Sequence, residues 1–282
     1  MLGIIGGTGL YKIDGIEDLS HRLVTTPFGD PSGEIALGSI ASQRVAFLPR
    51  HGSGHRILPS EINYRANIWA LKAVGVRRII SVSAVGSLSE KIRPGDLSLP
   101  NQYFDWTKGK RAGTFFGNGV VAHISTANPA CSSLQKIIQT CSEKSESPIH
   151  TGKTYACVEG PRLGTKAESI FLRQIGCDLV GMTNLPEAFL AREAQICYST
   201  IAIATDFDCW LDDPAQHASV DKVIEFYKEN VGKVQKLIKH VAAIKCESIV
   251  PCDCRTALKY AVLTDEKILS DEQKQTLAFL RE

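Results

Sequence analysis

The chain has 282 residues, 44% of them hydrophobic and 22% charged, the make-up of a water-soluble globular protein with a substantial core. Its net charge is +2 with a pI near 8.0, and no basic block or aromatic-interleaved stripe occurs, so nucleic acid is not an expected partner. No apolar run approaches the roughly 18 residues that span a bilayer, and the opening Met1-Leu-Gly-Ile-Ile-Gly-Gly7 lacks the features of a signal peptide, so no membrane partner and a cytoplasmic location are expected.

Residues 2–5 read as a short apolar strand, followed at once by Gly6-Gly7-Thr8-Gly9. Glycines let backbone N–H groups approach an anion closely, and Thr8 adds a hydroxyl donor. Lys12 stands where a dinucleotide fingerprint needs Gly or Ala, and no Gly-Lys-Ser/Thr follows, so neither nucleotide motif fits. Short strands at 22–24, 34–37 and 44–48 suggest a meander ending in Pro49-Arg50-His51-Gly52. There Arg50 offers a rigid donor fork among glycines. Ser60 is placed to cap a helix through Ala73 that Gly75 ends. A strand over 78–83 runs into Ala84-Val85-Gly86-Ser87, again a strand end suited to a closely held ligand.

Residues 89–130 read mostly as loop with short strands, and His123 as a packed histidine in an apolar stretch. A helix is predicted over 132–145 and a strand over 154–158, leading to Glu159-Gly-Pro-Arg162. Thr165 and Glu168 form a capping box for a helix that Gly176 closes. A buried strand over 178–182 meets Thr183-Asn184, and Pro186 occupies the first turn of a helix through Gln195. The run 198–205, rich in Ile, Ala and Thr, is a buried strand with Asp206 and Asp208 just past its carboxyl end, where open α/β sheets bind ligands. Ser219 is expected to cap a long amphipathic helix through Ile244, 245–254 to be a mobile connector, and Ser270 to open a C-terminal helix. Strands alternating with helices argue for one α/β domain over 1–282.

Nine cysteines occur without a CxxC pair, which excludes a zinc ribbon or a thioredoxin-type centre and leaves no expected metal site. Cys252-Asp253-Cys254 has the spacing of a strained disulfide, and free thiols are the expectation.

The motifs Gly-Gly-Thr8-Gly, Pro-Arg50-His51-Gly, Asn63-Tyr-Arg-Ala-Asn-Ile-Trp-Ala-Leu71, Ser83-Ala-Val-Gly-Ser-Leu88, Glu159-Gly-Pro-Arg162, Gly181-Met-Thr183 with Pro186-Glu187, and Ala204-Thr-Asp-Phe-Asp-Cys-Trp210 come in this order over about residues 1–240. Together they resemble the trimeric purine nucleoside phosphorylase family, and within it the branch acting on 5′-methylthioadenosine. The resemblance implies a central mixed β-sheet, partly closed into a barrel and flanked by helices. It implies phosphorolysis without a metal or organic cofactor, with inorganic phosphate as co-substrate and a small-molecule nucleoside as substrate. It also implies a homotrimer. Thr8, Arg50, His51, Ser83, Ala84 and Thr183 match phosphate-binding positions; Met182 matches the residue whose backbone holds the ribose hydroxyls; Asp206 and Asp208 match the base-recognising acids, with Asp206 the proton donor to the leaving purine. Gly86 lines the same place. Val220, Val223 and Ile224 share one helix face and would wall the 5′ group, toward which His123 would reach from the neighbouring subunit. Leu163 stands where the branch usually has Phe, Ser83 where Thr is more usual, and Gly181 where adenosine-type members commonly carry Asn. The last leaves a 6-oxopurine or methylthioinosine phosphorylase as the alternative; a non-catalytic nucleoside binder would need no anion site.

Overall fold

The computed structural model describes residues 1–7, 10, 15–213, 220–244 and 252–282. Its nine strands are β1 (Leu2–Gly6), β2 (Glu17–Arg22), β3 (Ile35–Ile40), β4 (Gln43–Pro49), β5 (Arg78–Ser87), β6 (Leu97–Trp106), β7 (Ile149–Val158), β8 (Leu179–Gly181) and β9 (Cys197–Asp206). They form one mixed sheet in the order β2-β3-β4-β1-β5-β8-β7-β6-β9, and a further β5–β9 pairing closes five of them into a barrel. The expected mixed sheet, partly closed, is the fold observed.

β5 is the pivot, because it pairs with β1, β8 and β9. β1, β4, β5 and β9 all run parallel, so their carboxyl ends at Gly6, Pro49, Ser87 and Asp206 gather at one edge. β9 is buried along its whole length, as the apolar run predicts for a strand covered on both faces.

Helices cover the sheet on both sides. α1 (Tyr64–Ala73) and α4 (Glu187–Glu193) supply Ile68, Leu71 and Leu190 to one core. α2 (Ser132–Lys144) and α5 (Val220–Ala242) supply Leu134, Ile138, Val234, Leu237 and Val241 to the other. Each such side chain contributes roughly 1.5–3 kcal/mol by leaving water. α3 (Lys166–Gln174) begins at the expected capping box, as does α6 (Asp271–Arg281). The tail returns to the body: Leu258 N–H donates to Gln195 Oε1 (3.1 Å), and Gln195 Nε2 donates to the carbonyl of Arg281 (2.8 Å).

Several expectations shift. β2 precedes the predicted 22–24 and is exposed at all six residues, so it has no apolar alternation to read. β6 is a ten-residue strand in a stretch read mostly as loop; its outer half is largely exposed and its pairing with β7 is irregular around Pro100. α1 is capped by Asn63, whose Oδ1 accepts the Ala66 N–H, rather than by Ser60. Pro186 is the N-cap of α4 rather than its first residue. His123 is exposed rather than packed. Ser219 and most of 245–254 lie outside the described residues.

Candidate active site

The parallel register sets Gly6 beside Pro49, and the Arg50 N–H donates to the carbonyl of Gly6 (3.1 Å). The glycine-rich turn and the Arg-His turn therefore start side by side. Arg50 then crosses beneath β5. Its Nη1 donates to the carbonyl of Val82 (2.9 Å) and its Nη2 to Ser81 Oγ (2.6 Å). Nε and Nη2 form a two-point ion pair with Glu187 (2.8 and 2.9 Å). Arg50 is 2% exposed and Glu187 fully buried. Burial opposes the charge of Arg50, but the Glu187 carboxylate more than offsets this and raises its pKa above the ordinary range. Of the five guanidinium N–H groups, these contacts use four and leave one hydrogen on Nη1. Tyr198 Oη donates to Glu187 as well (2.8 Å), holding the carboxylate from a third side.

β8 runs antiparallel to β5, with Ser87 opposite Leu179 and Gly86 opposite Val180. Continuing that register sets Thr183 opposite Ser83, and their hydroxyls are 3.2 Å apart. Both residues are buried, and Ser83 Oγ also lies 3.3 Å from the carbonyl of half-buried Ala84. Two buried hydroxyls, one of them on the strand that the buried guanidinium bonds to, give the donor set of an oxyanion site.

His51 is half-buried, with Nδ1 2.9 Å from the carbonyl of Ile57 and its ring stacked on His55 at 4.2 Å. The carbonyl partner places the proton on Nδ1. Burial, then the charge of Arg50, lowers its pKa to about 4, so the ring is neutral at neutral pH.

The acids occupy the far side of the same edge. Asp206 accepts from Thr205 Oγ1 (2.7 Å) on one oxygen and from the Asp208 N–H (2.8 Å) on the other, and both acids are buried. Asp208 has a positive φ of 52°, which bends the chain so that its own N–H turns back on Asp206. Gly86 faces the pair: a Cβ there would stand 3.1 Å from Asp206 Oδ1 and 3.2 Å from Asp208 Cβ. Glycine is what lets β5 approach the two acids.

Nothing in the sequence singles out Arg111, yet it ties the neighbouring loops together. Its side chain is buried and pairs with Glu159 through Nε (2.9 Å). Nη1 donates to the carbonyls of Met182 (2.7 Å) and Leu185 (2.5 Å), and Nη2 to that of Glu159 (2.9 Å). A loop arginine has no periodic pattern to betray it. Glu187 stands in the sequence only as part of Pro186-Glu187, with no role; its partner 137 positions away is visible only in the fold. Tyr155 is a third omission: a Cβ on Gly181 would collide with its hydroxyl and ring. Gly181 is therefore glycine because Tyr155 fills the space where a side chain would go.

Arg50, Ser83, Ala84 and Thr183, expected to hold phosphate, thus come together on one side, and Gly86, Asp206 and Asp208, expected to hold the base, on the other, with Met182 between β8 and Arg111. The remaining residues are more open. Leu163 is 43% and Ile224 47% exposed, Val223 is half-buried, and His123 is exposed, with its backbone N–H donating to the carbonyl of Ala261 (2.8 Å). Thr8 and the side chain of Val220 lie outside the described residues.

A family profile described as "Phosphorylase superfamily" matches residues 1–243. The S-methyl-5′-thioadenosine phosphorylase of Geobacter sulfurreducens is 48% identical, covering 98% of this chain and 96% of its own. That of Hyperthermus butylicus is 47% identical over 93% of this chain and 95% of its own. Among solved structures, a methylthioadenosine phosphorylase from an antarctic soil metagenomic library superposes with a TM-score of 0.94 at 45% identity, covering 99% of this chain and 98% of the other. The Schistosoma mansoni methylthioadenosine phosphorylase in complex with adenine gives a TM-score of 0.87 at 34% identity, covering 95% and 99%.

Proposed function

We propose, for a chain that belongs to the phosphorylase superfamily, that it cleaves the glycosidic bond of 5′-methylthioadenosine with inorganic phosphate, yielding adenine and 5-methylthioribose 1-phosphate. The observation that carries this reading is the pairing of a buried donor set (Arg50, Ser83, Thr183) with two buried acids at one sheet edge. An anion and a base with hydrogen-bond donors can then be held side by side.

In this reading a phosphate oxygen attacks C1′ as the C1′–N9 bond breaks. The hydroxyls of Ser83 and Thr183, the remaining Nη1 hydrogen of Arg50 and, as the sequence implies, Thr8 orient the phosphate, joined by His51. The ribosyl centre gains positive charge, which the phosphate balances, while the leaving purine gains negative charge. Asp206 delivers a proton to N7, and Asp208 accepts from the N6 amino group. The Met182 backbone holds the ribose hydroxyls, its carbonyl already positioned by one bond from Arg111. No metal or organic cofactor enters the reaction. One domain over 1–282 carries the site, completed in a homotrimer by the neighbour's His123. The open state of Leu163 and Ile224 in the protomer supports that reading. The protein would serve purine salvage in the cytoplasm; among the described residues no helix is long and apolar enough to cross a membrane.

Gly181 is the reason to keep a 6-oxopurine phosphorylase open. Its packing against Tyr155 accounts for the glycine without reference to the base, and that alternative loses its support. The test compares methylthioadenosine, adenosine, inosine and methylthioinosine, each with and without phosphate. Methylthioadenosine is expected to be fastest and strictly phosphate-dependent; hydrolysis at a similar rate without phosphate refutes the mechanism.

A further inference from the structure

Sequence spacing gives no sign of a metal centre among the cysteines, which have no CxxC pair. The fold assembles one from parts far apart in sequence. Cys131 precedes α2, Cys197 opens β9, and Cys252 and Cys254 bracket the start of a 3₁₀ turn (Asp253–Thr256) in the returning tail. Their four sulfurs all lie within 4.8 Å of one another. The Cys197 and Cys252 sulfurs are 3.3 Å apart, beyond the roughly 2.05 Å of a disulfide, and all four residues are free thiols. A tetrahedral zinc–thiolate centre with bonds of about 2.3 Å needs sulfurs about 3.8 Å apart, which falls between these two distances.

The surroundings also suit such a centre. Cys131, Cys197 and Cys254 are buried, while Cys252 is half-exposed and leaves a path for an ion. Cys131 is the N-cap of α2, and its sulfur accepts the Leu134 N–H (3.4 Å). Arg192 Nη1 donates to the Cys254 sulfur (3.2 Å). A backbone N–H and a guanidinium aimed at sulfur are the outer contacts that steady and partly neutralise thiolate ligands.

We propose that Cys131, Cys197, Cys252 and Cys254 bind one zinc ion per chain in a closed, structural four-thiolate site that pins the tail to the barrel. Binding replaces four S–H bonds by four S–Zn bonds and releases four protons to solvent. The ion has no open coordination position and takes no part in turnover. Cys197 and Asp206 are the two ends of the ten-residue β9, so the centre stands about 30 Å from the acids. The family profile ends at residue 243, so Cys252 and Cys254 lie beyond it, in a tail that the relative from Geobacter sulfurreducens also matches.

The test uses the full-length protein, purified without chelator under reducing conditions from zinc-supplemented cells. Elemental analysis is expected to give about one zinc per chain. Reconstitution of the metal-free protein with Co²⁺ should give the intense visible bands of a tetrahedral tetrathiolate site. Cys252→Ser with Cys254→Ser should abolish both signals and lower Tm by roughly 5 °C or more, while kcat/KM of the folded fraction stays within about twofold. Should that variant not fold, the zinc content and cobalt spectrum of the unmutated protein decide alone. Absence of metal after reconstitution, disulfides among these cysteines under reducing conditions, or zinc retained by the double variant overturns the proposal. Iron in place of zinc overturns the assignment of the ion.

Discussion

Under the proposed reading, the phosphate side and the nucleoside 5′ side of the site are built in opposite ways. On the first, Arg50, Ser83 and Thr183 are buried and bonded to their own protomer before any ligand arrives. On the second, Leu163, Ile224 and His123 face outward. An anion needs fixed, desolvated donors, because each is worth most where water cannot compete. A methylthio group needs only apolar surface, which a neighbouring subunit can bring as readily as the same chain can. The difference teaches that the protomer fixes its charged and hydroxyl donors alone, and under the proposed trimer it leaves shape recognition to assembly.

The largest test attacks the closed side. Glu187→Ala leaves the Arg50 guanidinium buried without its counter-ion, and a loss of ~3–5 kcal/mol in unfolding free energy is expected from denaturant titration. Arg50→Met with Glu187→Leu should recover most of that stability yet show no phosphorolysis. If Glu187→Ala melts like the unmutated protein, the phosphate side is not preassembled and the contrast collapses.

Asp206 is buried as the phosphate side is, beside Gly86 and Asp208. Asparagine there can donate to N7 and to the adjoining O6, where an ionised carboxylate only accepts, so Asp206→Asn should lower kcat/KM for methylthioadenosine and raise the relative activity on methylthioinosine. A fall of at least about tenfold in the ratio of the first to the second is expected, because a mismatched buried polar group is left unpaired. A ratio that holds level or rises removes Asp206 from base choice.

On the open side, His123→Ala should cost ~0.5–1.5 kcal/mol in kcat/KM, the worth of one hydrogen bond. Mixing it with Asp206→Ala subunits should give more activity than the two parents together, since some sites then hold both native groups. Demonstrated subunit mixing without such a gain places His123 outside the site.

The smallest effect sharpens the closed side. His51 is held neutral by burial and by Arg50, with a pKa lowered to about 4 from 6.5. The unfolded chain therefore takes up a proton that the folded one refuses. The stability His51 contributes is complete above about pH 6.5 and is lost as pH falls toward about 4. In phosphate-free buffer, His51→Gln should flatten the fall in Tm over that window; an unchanged slope means the ring is not desolvated.

Much of the architecture is legible in the sequence, because buried strands ending in glycine, hydroxyl or acid announce themselves. β1, β5 and β9 are of this kind, and so are Arg50, Ser83 and Asp206 at or beside their sheet edge. β2 and the outer half of β6 are missed because exposed strands have no hydrophobic period. Arg111 and Glu187 are missed as partners because a loop cation and a helical acid acquire meaning only when the fold brings their counter-charges near. The four cysteines fail for the same reason: Cys197 and Cys252 are 55 positions apart, Cys131 lies farther off still, and no spacing rule reaches that far.

The contact between Gly181 and Tyr155 bears on how this lineage can change. A larger residue at 181 meets both the hydroxyl and the ring of Tyr155, so shortening Tyr155 to Phe does not make room for it. The ring must leave first, and it is fully buried, with its hydroxyl 3.4 Å from Ser83 on the phosphate side. The route to an asparagine at 181 therefore passes through an intermediate with a hole in its barrel and a loosened Ser83. The two positions are sterically coupled, and the order of substitution decides whether the path is open.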